Sequence, residues 1–178
     1  MLKSYLISRH EPVLITGSNG FIGCKVIETL LERGFFNLRC FVRTSGKLNR
    51  LNEVLTRHPE AKIEVIEGNL LSREDCGGAV RDVPLIYHLA AGIDKSFAGA
   101  FMNSVLTTRN LLDAVLEKGL LKRFVNVSSF AVYSNRNLRF ICFALCITSS
   151  TRSDGMIFIA SSWEQVTRLL ICRGWRVN

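Results

Sequence analysis

Three glycines at intervals of three, Gly17, Gly20 and Gly23, follow a short apolar run in the stretch "PVLITGSNGFIG". Bare backbone at that spacing suits the binding of a diphosphate. Gly17 permits a tight turn, Gly20 lets a phosphate approach backbone amides at the positive end of a helix, and Gly23 lets that helix sit close on a sheet. Ser18, Asn19, Phe21 and Ile22 occupy the positions between them. A glycine triplet alone is a weak signal. Its force here comes from the strand before it and the helix after it, which together open a β-α-β unit.

The elements that must position this turn alternate regularly. "VLIT" (13–16) reads as a buried strand, and a helix from Gly20 to Arg33 carries Ile22, Val26, Leu30 and Leu31 on one face. Strands follow at 38–42, 62–68, 85–90 and 123–129, separated by helices at 48–57, 72–80 and 101–118. Ser72 reads as a cap for the third of these helices, with Glu74 and Asp75 in its first turn, and Gly119 as the stop of the fourth. Such alternation predicts a doubly wound parallel α/β sheet whose ligand crevice lies at the carboxyl ends of the strands. Composition shifts after Asn137: lysine is absent and no clear period survives, with a strand expected at 155–161 and a helix at 162–173. The expected organisation is one nucleotide-binding domain over 1–135 and a divergent segment over 136–178.

Other function classes fit less well. The six cysteines (24, 40, 76, 142, 146 and 172) contain no CxxC, and no histidine follows Cys142 and Cys146 at ligand spacing. No metal site is expected; reduced, mostly buried thiols are. No segment has the roughly 18 apolar residues of a membrane span, and the N-terminus "MLKSYLISRH" lacks the pattern of a secretory signal. A cytoplasmic protein is the expectation. The net charge of +8 comes largely from the tail, with 7 basic and 2 acidic residues after Lys122 and no basic stripe with interleaved aromatics, so nucleic-acid binding is not expected.

"TGSNGFIG" resembles the nucleotide-binding turn of the extended short-chain dehydrogenase/reductase superfamily, the NAD-dependent epimerase/dehydratase group. "HLAAGID" (88–94) is similar to that family's fourth-strand end, where small residues border the cofactor; "TTRNLLDAV" (107–115) resembles its next helix, and "FVNVSSFAVYS" (124–134) its fifth strand. The resemblance covers residues 11–135 and implies a Rossmann-type fold that binds NAD or NADP. It implies cofactor contacts from Gly17, Ser18, Asn19, Gly20, Phe21, Ile22, Gly23, Asn69, Leu70, Leu89, Ala90 and Ala91. Asn69 stands where the family often has an aspartate facing adenine, and Ser104 where an asparagine is common.

The choice of cofactor is argued from the end of the second strand. An acidic residue there would accept hydrogen bonds from the adenosine ribose and select NAD. None occurs between Leu38 and Glu53; Arg43, Thr44, Ser45 and Lys47 offer donors suited to a 2′-phosphate, which favours NADP.

The family's chemistry uses a tyrosine as acid/base, a lysine four residues later that lowers its pKa, and a serine that orients the substrate oxygen. Ser129 matches that serine and is the family's only catalytic match in this chain. Tyr133 matches a non-catalytic tyrosine of the same motif. The tyrosine–lysine pair should come later, yet no lysine follows Lys122 and no tyrosine follows Tyr133. Two registers are open for the missing pair: Phe158 with Ser162, or Met156 with Ala160. Neither supplies a proton donor and a cation. His88 ends the fourth strand and is not assigned as a base.

Family members continue into a substrate-closing domain, whereas this sequence stops at Asn178. The expectation is a truncated or degenerate member, and a divergent ending, an alternative exon and a frameshift all stay open. The function expected is that of a dinucleotide-binding relative of the epimerases, dehydratases and reductases without catalytic competence. The alternative is a non-catalytic dinucleotide-binding or regulatory module. Its expected partners are the dinucleotide and an unidentified substrate, with no nucleic acid or membrane; a homodimer is left open.

Overall fold

Side chains along the inner strands of the sheet alternate between two apolar layers, and that alternation organises the molecule. A computed structural model describes residues 6–92, 96–118, 120–127 and 156–160. Its strands are β1 (Val13–Thr16), β2 (Asn37–Val42), β3 (Lys62–Glu67), β4 (Leu85–His88), β5 (Arg123–Val127) and β6 (Met156–Ala160). They form one sheet in the order β3-β2-β1-β4-β5-β6, every neighbouring pair parallel. Across its centre Ile15 registers with Cys40 on one side and Tyr87 on the other.

One layer joins Val13, Ile15, Leu38, Cys40, Leu85, Tyr87 and Val125 to helices α1 (Phe21–Glu32) and α2 (Asn49–Thr56). The opposite layer joins Leu14, Phe41, Ile86 and Phe124 to α3 (Arg73–Ala79) and α5 (Thr107–Lys118). Successive strand residues point to opposite faces, so a strand covered on both sides is buried throughout. β1 is the clearest case, with all four residues fully buried. β3 lies at the sheet edge and keeps Lys62, Glu64 and Glu67 exposed.

The elements expected before residue 128, and the strand expected at 155–161, are found, with one difference in the long helix. The helical stretch begins at Phe97 (α4, Phe97–Ala100), passes through a π-helical turn at Phe101–Leu106, and becomes regular only from Thr107. The hydroxyls of Thr107 and Thr108 donate to the carbonyl oxygens of Asn103 (3.0 Å) and Ser104 (2.6 Å), which fastens the wider turn to the start of α5. Ser72 caps α3 as expected, its hydroxyl accepting from the Asp75 amide at 3.1 Å. Gly119, Ser129, Tyr133 and residues 162–173 lie outside the described residues.

The strand order reverses between β1 and β4, which opens a crevice above their carboxyl ends. Everything that follows sits there.

Candidate functional site

The turn after β1 is built for close approach. Gly17 adopts φ +70°, a conformation that side chains other than glycine's rarely take, and a Cβ there would stand 2.9 Å from the Ala90 nitrogen. A Cβ on Gly23 would fall 2.2 Å from the Gly17 carbonyl oxygen, so bare backbone is what lets α1 touch the turn. The Gly20 amide donates to the Gly17 carbonyl at 3.0 Å and closes the loop. Ser18 is fully buried beneath it and donates to the Ile15 carbonyl at 2.5 Å.

No side chain caps α1. The amides of its first turn have no intrahelical acceptor and carry the positive end of the helix dipole. The N-cap residue Gly20 lines a cavity of about 400 Å³, whereas Phe21 and Ile22 stand outside its lining. Gly17, Asn19, Gly20, Arg43, Asn69, Leu70, Leu89, Ala90 and Ala91 all line it. Ser18 and Gly23 lie outside that lining and shape the turn from below. Phe21 and Ile22 open α1 with side chains 78% and 42% exposed.

Other loops set the remaining walls. Asn19 donates to the Lys47 carbonyl at 3.2 Å, joining the glycine turn to the loop after β2. Asn69 accepts the Leu71 amide on Oδ1 at 3.0 Å, and its own amide donates to Asp75 at 2.7 Å. Asn110, on α5, donates to the carbonyl oxygens of Leu70 and Leu71, both at 3.1 Å, and fixes the loop that carries Asn69 and Leu70.

Phe41, Val42, Ser45, Gly46, Asn103 and Thr107 also line the cavity. Of these only Ser45 is flagged by its type and place in sequence. Asn103 arrives through the π-helical turn, which no periodicity announces, and Thr107 opens α5 directly after it.

His88 forms the floor between β1 and α5 rather than a reacting group. It is fully buried, and its Nδ1 lies 2.8 Å from Thr16 Oγ1, its Nε2 2.9 Å from Thr108 Oγ1. Burial pushes its pKa down to about 4, so the ring is neutral near pH 7. The cysteines at 24, 40 and 76 are free and buried; burial pushes Cys40 up to about 12 and Cys76 to about 11. They are protonated thiols, not nucleophiles.

One register for the missing tyrosine–lysine pair, Met156 with Ala160, meets a second obstacle, while Ser162 of the other lies outside the described residues. Met156–Ala160 is a strand, paired with β5 in the register Val125–Phe158. Extended backbone sets positions four apart about 13 Å from each other, against about 6 Å on a helix.

A glycine turn, an uncapped helix start and a crevice at the reversal of a doubly wound sheet define a Rossmann-type domain. The chain belongs to the NAD dependent epimerase/dehydratase family, whose profile matches residues 13–140. It is 34% identical over 129 residues to a 3 beta-hydroxysteroid dehydrogenase/Delta 5-->4-isomerase of Mycobacterium tuberculosis, covering 67% of this chain and 32% of that protein. It thus spans about a third of the length of the curated relatives it matches.

Among solved structures, Pen from Bacillus thuringiensis has the same fold with a TM-score of 0.67 at 21% identity, over 82% of this chain and 48% of that one. A UDP-glucuronic acid 4-epimerase from Bacillus cereus, solved in complex with NAD, gives a TM-score of 0.58 at 23% identity, over 71% and 42%.

Proposed function

We propose that this chain binds a nicotinamide adenine dinucleotide along the cavity above β1 and β4, NADP in preference to NAD, and that it lacks hydride-transfer competence by itself. The observation that carries the binding reading is the uncapped start of α1 opening onto a cavity whose near wall is bare glycine backbone. A diphosphate would take the hydrogen bonds of the first-turn amides and the favourable end of the helix dipole. Asn69 and Leu70 would border the adenine, Arg43 the 2′-phosphate, and Leu89, Ala90 and Ala91 the middle of the cofactor. Asn69 retains an acceptor after bonding Leu71, since a carboxamide oxygen has two lone pairs.

When bound, the nicotinamide ring supplies the hydride acceptor or donor. The protein's share would be to move a proton at the substrate oxygen. Ser129 is the only family match for that task, and an unassisted hydroxyl is a poor acid and base near neutral pH. The alternative reading, a regulatory module that senses dinucleotide, is favoured by the same missing lysine and tyrosine.

Calorimetry with NADP and NAD tests the proposal. Saturable binding is expected, abolished by Gly20→Val, because a branched side chain would cover the amides the diphosphate needs. Equal affinities in wild type and Gly20→Val would overturn the glycine reading.

A further inference from the structure

Arg43 does not stand alone over the cavity. Its Nη2 donates to Asn103 Oδ1 at 3.1 Å, although 60 residues separate the two. Arg43 comes from the end of β2 and Asn103 from the π-helical turn, and both line the same cavity. Asn103 is itself seated from two sides. A Cβ on Gly92 would lie 2.2 Å from the Asn103 Cβ, so the side chain rests where residue 92 has none. The Asn103 carbonyl accepts from Thr107, and the Gly92 amide reaches Ser104 Oγ at 3.4 Å.

An exposed arginine loses much rotamer freedom when it engages a phosphate, and that loss subtracts from affinity. A fixed neutral acceptor removes part of the loss beforehand. It holds one of five guanidinium donors and leaves the others for a phosphate. A carboxylate in the same place would also hold the arginine, but it would compete with the phosphate for its charge.

We propose that Asn103 is a specificity-determining residue that pre-orients Arg43 toward the 2′-phosphate of NADP. The proposal rests on the reading of Arg43 given above. Gly92 and the π-helical turn act through Asn103 by keeping its carboxamide in place.

The test is titration calorimetry of the full 178-residue chain with NADP and NAD separately. Asn103→Ala is expected to weaken NADP about three- to tenfold while NAD changes less than about twofold, the range for releasing one ordered side chain. Asn103→Asp should weaken NADP further, and Asn103→Ala should add nothing in an Arg43→Ala background. Asn103→Ser, read the same way, carries the test if the alanine variant does not fold in a thermal melt.

An unchanged NADP-to-NAD ratio in Asn103→Ala, with the ratio lost in Arg43→Ala, would refute the role of Asn103 and leave Arg43 standing. An unchanged ratio in Arg43→Ala would sink the Arg43 reading and this one with it. Equal losses of both cofactors in Asn103→Ala would reduce Asn103 to a wall of the cavity.

Discussion

Thr16 Oγ1 and His88 Nδ1 lie 2.8 Å apart across 72 residues of chain, and that bond has a definite direction. Thr16 Oγ1 already accepts the amides of Leu89 and Ala90, each at 3.2 Å, so its own proton goes to Nδ1. At the other side Thr108 spends its proton on the Ser104 carbonyl and therefore accepts from Nε2–H. The imidazole is held as the neutral Nε2–H form, and the loop that borders the cavity hangs from it.

Acid should undo this. The folded pKa of His88, about 4, lies below the ordinary 6.5, so the unfolded chain binds the proton more readily. The stability involved is intact above about pH 6.5 and is lost as pH falls toward 4, about 3 kcal/mol in all and about 2 kcal/mol by pH 5. Urea unfolding between pH 7.5 and 5 should show wild type losing its advantage over His88→Gln. Parallel losses in the two proteins would exclude the histidine as the source.

Gly20 and Gly23 should respond differently to alanine. At Gly20 a Cβ meets only the Gly17 oxygen at 3.2 Å, so Gly20→Ala should fold and change mainly cofactor affinity. At Gly23 the same oxygen is 2.2 Å away and belongs to backbone, so Gly23→Ala must push α1 off the turn. A loss of about 1–3 kcal/mol in stability is expected for Gly23→Ala, read from denaturant midpoints. Equal stability of the two variants would contradict the packing described.

Much of this was legible in the sequence because local chemistry fixed it. The glycine spacing announced the turn, the apolar run at 13–16 a buried strand, and Ser72 with Asp75 a capped helix. What was not legible depends on contacts between distant residues. The Arg43–Asn103 bond joins two loops, and the π-helical turn that presents Asn103 has the composition of ordinary helix. His88 was visible as a polar residue closing a strand, but its two threonine partners come from β1 and α5.

Tyr87 offers a sharper test of the core. Its ring is fully buried, and its hydroxyl has no hydrogen-bond partner among the described residues. An unpaired buried hydroxyl costs about 1–3 kcal/mol. Tyr87→Phe should therefore raise the unfolding free energy by an amount of that order. A destabilised phenylalanine variant would mean that the hydroxyl has a partner after all.

Turnover should be absent. A positioned acid/base group contributes about 10²–10⁴-fold, and neither register after Tyr133 supplies one. No consumption of NADPH or NADH is expected with ketone or sugar-nucleotide substrates. Steady consumption that Ser129→Ala abolishes would show another group in the acid role. Sequencing the coding DNA across codons 135–178 adds an independent reading, since a shifted frame with tyrosine-xxx-lysine would assign the loss to the frame.

The neighbouring placement of β1 and β4 also dates the cavity within the life of the chain. On a ribosome, β1, α1, β2, α2 and β3 emerge first and can pair among themselves. The glycine turn is then made but open on one flank, since Ala90 and its bond to Thr16 arrive 74 positions later. A nascent chain ending before Leu85 should hold no dinucleotide. The cofactor would meet this protein only after the winding has changed direction, and would reward a finished sheet rather than seed one.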